Sequence, residues 1–122
     1  MPETMRLLQL FRHPKDLRDL APDEVWALQA SPQTVLIDVR TLREYRSGHI
    51  PGAVFLPMGH EAEIMRRWKP STPIVLVCKT GHRSQAVAAV LIQKGYRSVS
   101  HLKGGMDAYK RAGYPVSHED GE

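Results

Sequence analysis

The chain holds one cysteine, Cys78, and it opens the segment Cys78-Lys79-Thr80-Gly81-His82-Arg83. An apolar run, Ile74 to Val77, leads into it, and a stretch with helical spacing, Ser84 to Lys94, follows. The thiol is therefore placed in a turn from strand to helix, facing the backbone N–H groups of a tight loop and the positive end of a helix. Both favour an anion, so this is where a thiolate nucleophile, or the persulfide made from it, would be held. Gly81 lets the loop turn back through a conformation costly for other residues. Lys79, His82 and Arg83 add positive or potentially positive charge at the rim. A cysteine at the end of a buried strand is more often an inert small hydrophobe. The glycine, the basic flanks and the following helix bring the two readings level, and spacing alone leaves both open.

A lone thiol excludes an internal disulfide and an internal resolving cysteine. Sulfur chemistry at Cys78 would need an acceptor from outside the chain. A reducing compartment suits such a thiol. The apolar patch Leu7 to Phe11 is broken by Gln9 and lacks the length and cleavage site of a secretory signal. No stretch approaches the roughly 18 apolar residues of a membrane span. The expectation is a cytoplasmic protein with no membrane partner.

The elements that must position the loop follow from patterning. Thr34 to Val39, Ala53 to Leu56, Ile74 to Val77 and Ser98 to Leu102 read as strands, with Arg18 to Leu20 as a short edge strand. Helices fill the gaps: Pro22 to Ala30, a short one capped by Thr41 with Glu44 and closed by Gly48, Glu61 to Trp68, Ser84 to Lys94, and Met106 to Ala112. Strands alternating with helices predict an α/β fold with a mostly parallel sheet covered on both faces. In such sheets ligands bind beyond the carboxyl ends of the strands, which is where Cys78 lies. Residues 15–116 are assigned to one domain, 1–14 to a loosely structured lead-in, and 117–122 to a frayed polar tail.

The formal net charge is +4, from 17 Lys and Arg against 13 Asp and Glu, with the basic residues spread along the chain. Aromatic residues make up 7% and form no stacking platform, which argues against a nucleic-acid partner. His13, His49, His60, His82, His101 and His118 show no pair at metal-ligand spacing, so no metal is expected. Gly104-Gly105 lacks the remaining spacing of a dinucleotide fingerprint, and no cofactor is expected. Trp26 and Trp68 fit the core-facing sides of helices.

The loop resembles the active-site loop of the rhodanese family, in which a cysteine opens a six-residue cradle before a helix. Two further segments agree, over about residues 15–116. Leu36-Ile37-Asp38-Val39-Arg40, Glu44-Tyr45 and Gly48-His49-Ile50-Pro51-Gly52-Ala53 resemble the upstream signature of that family. Leu102-Lys103-Gly104-Gly105-Met106 resembles the downstream one, with Met106 where an aromatic residue is usual. Several motifs in the right order make the resemblance specific.

What the resemblance implies is a rhodanese-like three-layer α/β/α domain with about five strands, and sulfurtransferase activity. Cys78 would take a sulfane sulfur from a small anionic donor such as thiosulfate and pass it to a thiol acceptor, or to cyanide in vitro. Lys79 is the candidate for drawing in the donor's anionic group. Thr80 and Gly81 would act through their backbones, and His82 is a tolerated rim residue. Arg83 would bond loop carbonyls or the donor, the structural role being favoured. Asp38, Arg40 and Glu44 would form supporting ion pairs, and His49 a hydrogen-bonded turn.

Two rival functions remain. Related phosphatases and arsenate reductases place five residues between cysteine and arginine, whereas Lys79, Thr80, Gly81 and His82 are the four that intervene here. The shorter loop suits sulfur better than phosphate. The second rival is a persulfide carrier or docking module loaded by a sulfur-relay protein.

Overall fold

The computed structural model describes residues 13–118. Five strands and five helices alternate along the chain: β1 (Arg18–Leu20), α1 (Pro22–Leu28), β2 (Val35–Asp38), α2 (Leu42–Arg46), β3 (Val54–Phe55), α3 (Glu61–Arg67), β4 (Ile74–Val77), α4 (His82–Gln93), β5 (Val99–Leu102) and α5 (Gly105–Arg111). The strands form one sheet in the order β1-β5-β4-β2-β3, and every pairing is parallel.

The central strands are apolar almost throughout because both faces of the sheet are covered. Ile37, Ile74, Leu76, Cys78 and Val99 pack on one side with Ile64 of α3 and Val87, Ala88 and Leu91 of α4. Leu36, Val75, Val77 and Leu102 pack on the other with Val25 of α1 and Met106 and Tyr109 of α5. The period-two alternation of strand side chains thus divides one domain into two core layers, with helices outside each.

All five expected strands are present, each within the span read from the patterning. The helices differ at their ends. Helix α4 begins at His82, two residues before the expected start, because Gly81 itself supplies the cap position, with φ at 103°. Helix α2 carries the expected capping box: Thr41 Oγ1 accepts from the Glu44 N–H, and the Thr41 N–H donates to Glu44 Oε1.

The expected lead-in lies mostly outside the described residues, as do residues 119–122 of the expected tail. Ser117 is not frayed: it forms an antiparallel bridge with His49 through two backbone hydrogen bonds of 2.7 and 2.9 Å. Trp26 and Trp68 lie at the core margins, half-buried rather than enclosed.

No helix among the described residues is long and apolar enough to cross a membrane.

Candidate active site

Strand β4 ends at Val77, and Cys78 follows at the carboxyl end of the sheet's central strand. Its sulfur faces back toward the first turn of α4. Sγ accepts hydrogen bonds from the backbone N–H of Gly81 at 3.0 Å and of Ser84 at 3.4 Å. Gly81 is the cap of α4 and has no side chain to offer the helix's free N–H groups. The cysteine sulfur takes that part, accepting from the third residue of the helix as a serine or aspartate cap would. A positive helix end and two N–H donors make this a site suited to a sulfur anion.

Cys78 has no exposed surface, and it is part of the core layer beneath α4. Val87, Ala88 and Leu91 of α4 belong to the same layer.

The loop's carbonyls are held from the other side. Met106 N–H donates to Cys78 O at 2.8 Å, and Asp107 N–H donates to Lys79 O at 3.0 Å. The start of α5 therefore rests directly on the loop backbone. A Cβ at Gly105, which has φ at +62°, would lie 2.3 Å from Lys79 O, so the close approach needs glycine there.

The remaining loop side chains bond partners other than the sulfur. Lys79 Nζ pairs with Asp107 at 3.0 Å, both groups exposed. Thr80 Oγ1 and His82 Nδ1 are within hydrogen-bond distance at 3.0 Å. Arg83 donates through both terminal nitrogens to Glu44, at 2.7 and 2.8 Å. The arginine hydrogen bonds hold the Glu44 carboxyl far below its usual range, at about 2, against a smaller opposing effect of burial. Arg83 thus ties α4 to α2, rather than bonding loop carbonyls.

Asp38 and Arg40 form a fully buried pair, Nη2 to Oδ2 at 2.8 Å, and Arg40 also donates to Gly48 O at 2.9 Å. They fasten the end of β2 to the turn that follows α2. His49 stacks on Tyr45, with ring centroids 3.7 Å apart, and bonds the Tyr45 carbonyl at 2.8 Å. Asp38, Arg40 and Glu44 make hydrogen bonds to the scaffold, and none of those bonds reaches the sulfur.

Ser84, which the sequence reading did not single out, adjoins the sulfur, and hydrogen bonds lead on from it to His101, Asp19 and His13. Ser84 Oγ lies 3.4 Å from Cys78 Sγ and 2.7 Å from His101 Nδ1. His101 Nε2 lies 2.8 Å from Asp19 Oδ1, and His13 Nε2 approaches the same oxygen at 2.7 Å. Among the described residues, His13, Asp19 and His101 are a group whose ligand-type atoms all lie within 4.8 Å of one another. Asp19 Oδ1 is within hydrogen-bond distance of both rings, so the three form a hydrogen-bonded chain that reaches the sulfur through Ser84. A signal existed: in β5, His101 is a polar residue at an inward strand position shared with Val99.

The profile of the rhodanese-like domain family matches residues 21–112. The chain is 35% identical over 94 residues to a sulfurtransferase of Allochromatium vinosum, covering 77% of this chain and 88% of that protein. It is 32% identical over 100 residues to the thiosulfate sulfurtransferase GlpE of Pseudomonas entomophila, covering 82% and 90%. A solved structure from Rhodopseudomonas palustris, a protein of unknown function described as a possible tyrosine phosphatase, matches with a TM-score of 0.78 at 27% identity, covering 96% of this chain and 99% of that one. With the loop, the glycine contact beneath it and a family match over most of the chain, this protein belongs to the rhodanese-like domain family.

Proposed function

We propose that the protein is a sulfurtransferase that moves a sulfane sulfur from a small anionic donor, such as thiosulfate, to a thiol acceptor through a persulfide on Cys78. The observation that carries this reading is the setting of Cys78 Sγ, which receives N–H donors from Gly81 and Ser84 at the start of a 12-residue helix. The same donors serve thiolate and persulfide, since each places negative charge on sulfur at the cradle.

In the first half-reaction the thiolate attacks the donor's outer sulfur. A sulfur–sulfur bond forms to Cys78, the bond within thiosulfate breaks, and its electron pair leaves with sulfite. In the second, a nucleophilic acceptor takes the outer sulfur and the thiolate returns. The names of the relatives, a sulfurtransferase and a thiosulfate sulfurtransferase, support this substrate class. We assign no phosphatase activity: the loop has four residues before its arginine, and both terminal nitrogens of Arg83 are committed to Glu44. A cytoplasmic setting fits a single reduced thiol.

Complete burial of the sulfur favours a second reading, in which a partner protein opens the loop and loads Cys78. Intact-protein mass after brief exposure to thiosulfate, and again after cyanide, tests the two. One sulfur atom gained and then lost, with thiocyanate released and no gain in Cys78→Ser, is the expected result. No gain in the wild-type protein would discard thiosulfate as donor and turn the search to a loading partner.

A further inference from the structure

Resting on the reading of Cys78 as the nucleophile, we propose that Ser84, His101 and Asp19 are positioning residues forming a relay that takes the proton of the Cys78 thiol when the thiolate forms and returns it when the sulfur has been passed on. The relay lies inside the fold. Ser84 is buried on α4, His101 is 2% exposed on β5, and Asp19 sits beside His101 as its register partner on β1.

The direction of each hydrogen bond follows from proton count. Asp19 is held ionised: burial works to raise its pKa, but hydrogen bonds from His13 and His101 outweigh it. Its carboxylate only accepts, so His101 donates through Nε2 at 2.8 Å. Burial holds the His101 pKa below its ordinary value, partly opposed by Asp19, and the resting ring is neutral with a bare Nδ1. The Ser84 hydroxyl has one proton and two acceptors in reach, Nδ1 at 2.7 Å and Gly81 O at 3.1 Å. The shorter contact takes it. Ser84 Oγ then turns a lone pair to Cys78, whose S–H donates to it at 3.4 Å. Thiol, hydroxyl, imidazole and carboxylate form one chain with every donor aimed at one acceptor.

Ionisation runs along that chain without loss of a hydrogen bond. The thiol proton passes to Ser84 Oγ, the serine proton passes to His101 Nδ1, and Asp19 faces the imidazolium that results. Serine ends as it began, with its O–H now pointing at the thiolate. After an acceptor removes the outer sulfur, the same path carries the proton back. Facing His101 are Asp19, which favours its protonation, and His13 and Lys103, which oppose it. Facing Cys78 is Arg83, whose charge is balanced by Glu44. A merely structural serine–histidine bond would fix the ring equally well but would not alter thiol ionisation.

The test is a pH titration of thiolate absorbance in the ultraviolet, with Cys78→Ser subtracted as a blank; it needs neither a substrate nor access to the sulfur. His101→Asn keeps an amide near the Nδ1 position to bond Ser84 but accepts no proton. Its thiolate midpoint is expected to rise by about one pH unit, roughly tenfold in thiolate fraction on the acid side. Asp19→Asn, on the exposed edge strand, should shift it the same way by less. Superposable titrations of wild type and both variants would overturn the relay. If His101→Asn does not fold, the Asp19→Asn titration and the imidazole nitrogen shifts of wild-type His101 decide. A bare Nδ1 with protonated Nε2 supports the relay, and the opposite tautomer refutes it. Mass gain from thiosulfate in the wild-type protein is scored separately. Its failure beside shifted titrations would remove the thiosulfate reading and leave the relay, and its success beside superposable titrations the reverse.

Discussion

The Lys79 ammonium stands 3.0 Å from the Asp107 carboxylate, so at the residue scale the loop's most exposed cation is shared before any substrate arrives. Both groups are about half-exposed, and pairs of that kind are weak and screened by salt. An incoming anion can therefore compete with Asp107 for the lysine. Lys79→Ala is expected to raise the KM for thiosulfate by about threefold, and Asp107→Asn to lower it by about twofold, the scale of exposed charge pairs. Steady-state kinetics at low ionic strength read both, and equal KM values in all three proteins would remove Lys79 from donor binding. The lysine and the loop around it were legible because they are contiguous and frame a single cysteine. Asp107 was not, since it reaches Lys79 from 28 residues away. Ser84 is the opposite case. It adjoins the loop in sequence, yet the six-residue frame ended at Arg83, and its hydroxyl gains meaning only once His101 is beside it.

At the scale of elements, the loop is a clamp between two helix starts. Helix α4 supplies the N–H groups that meet the sulfur, and α5 supplies the two that hold the carbonyls of Cys78 and Lys79. Gly105 is the contact point. Alanine there would combine a positive φ with a Cβ 2.3 to 2.5 Å from three backbone atoms of the loop, and backbone cannot swing aside as a side-chain tip can. Gly105→Ala should lose roughly 2–4 kcal/mol of stability, from strain and overpacking together. It should also slow sulfur loading, because the displaced atoms belong to Cys78 and Lys79. Urea unfolding and persulfide mass gain measure the two effects, and wild-type values in both would show that α5 does not brace the loop. The glycine pair was readable as a motif, but its reason was not, because the contact spans two elements. The same limit hid Asp19 and His101. Each strand was visible as a short run, yet their pairing depends on β1 joining β5 across 82 residues, an order that local patterning does not carry.

For the whole molecule, the loops at the carboxyl ends of β2 and β4 are joined by one ion pair, Arg83 to Glu44, between helices 39 residues apart in sequence. It lies beside the Cys78 loop and resists separation of α2 from α4. Its contribution is set by pH. The Glu44 pKa is lowered from 4.5 to about 2, so the pair contributes fully above the unfolded value and is lost as pH falls through the folded one. Glu44→Gln removes that dependence while keeping a side chain that can cap Thr41. At pH 6 the variant should be less stable by on the order of 1–2 kcal/mol, between the values for exposed and buried pairs. The gap should narrow from about pH 4.5 downward and be nearly closed by pH 2, closing fully only below the folded pKa, where the wild-type carboxyl is protonated in both states. Asp19 is also held below its usual range, but it is present in both proteins and cancels in the difference. Urea titrations at a series of pH values follow the gap directly. A gap that stayed constant across that window would mean that the glutamine costs packing or capping alone, and that the tie between the two loops is not electrostatic.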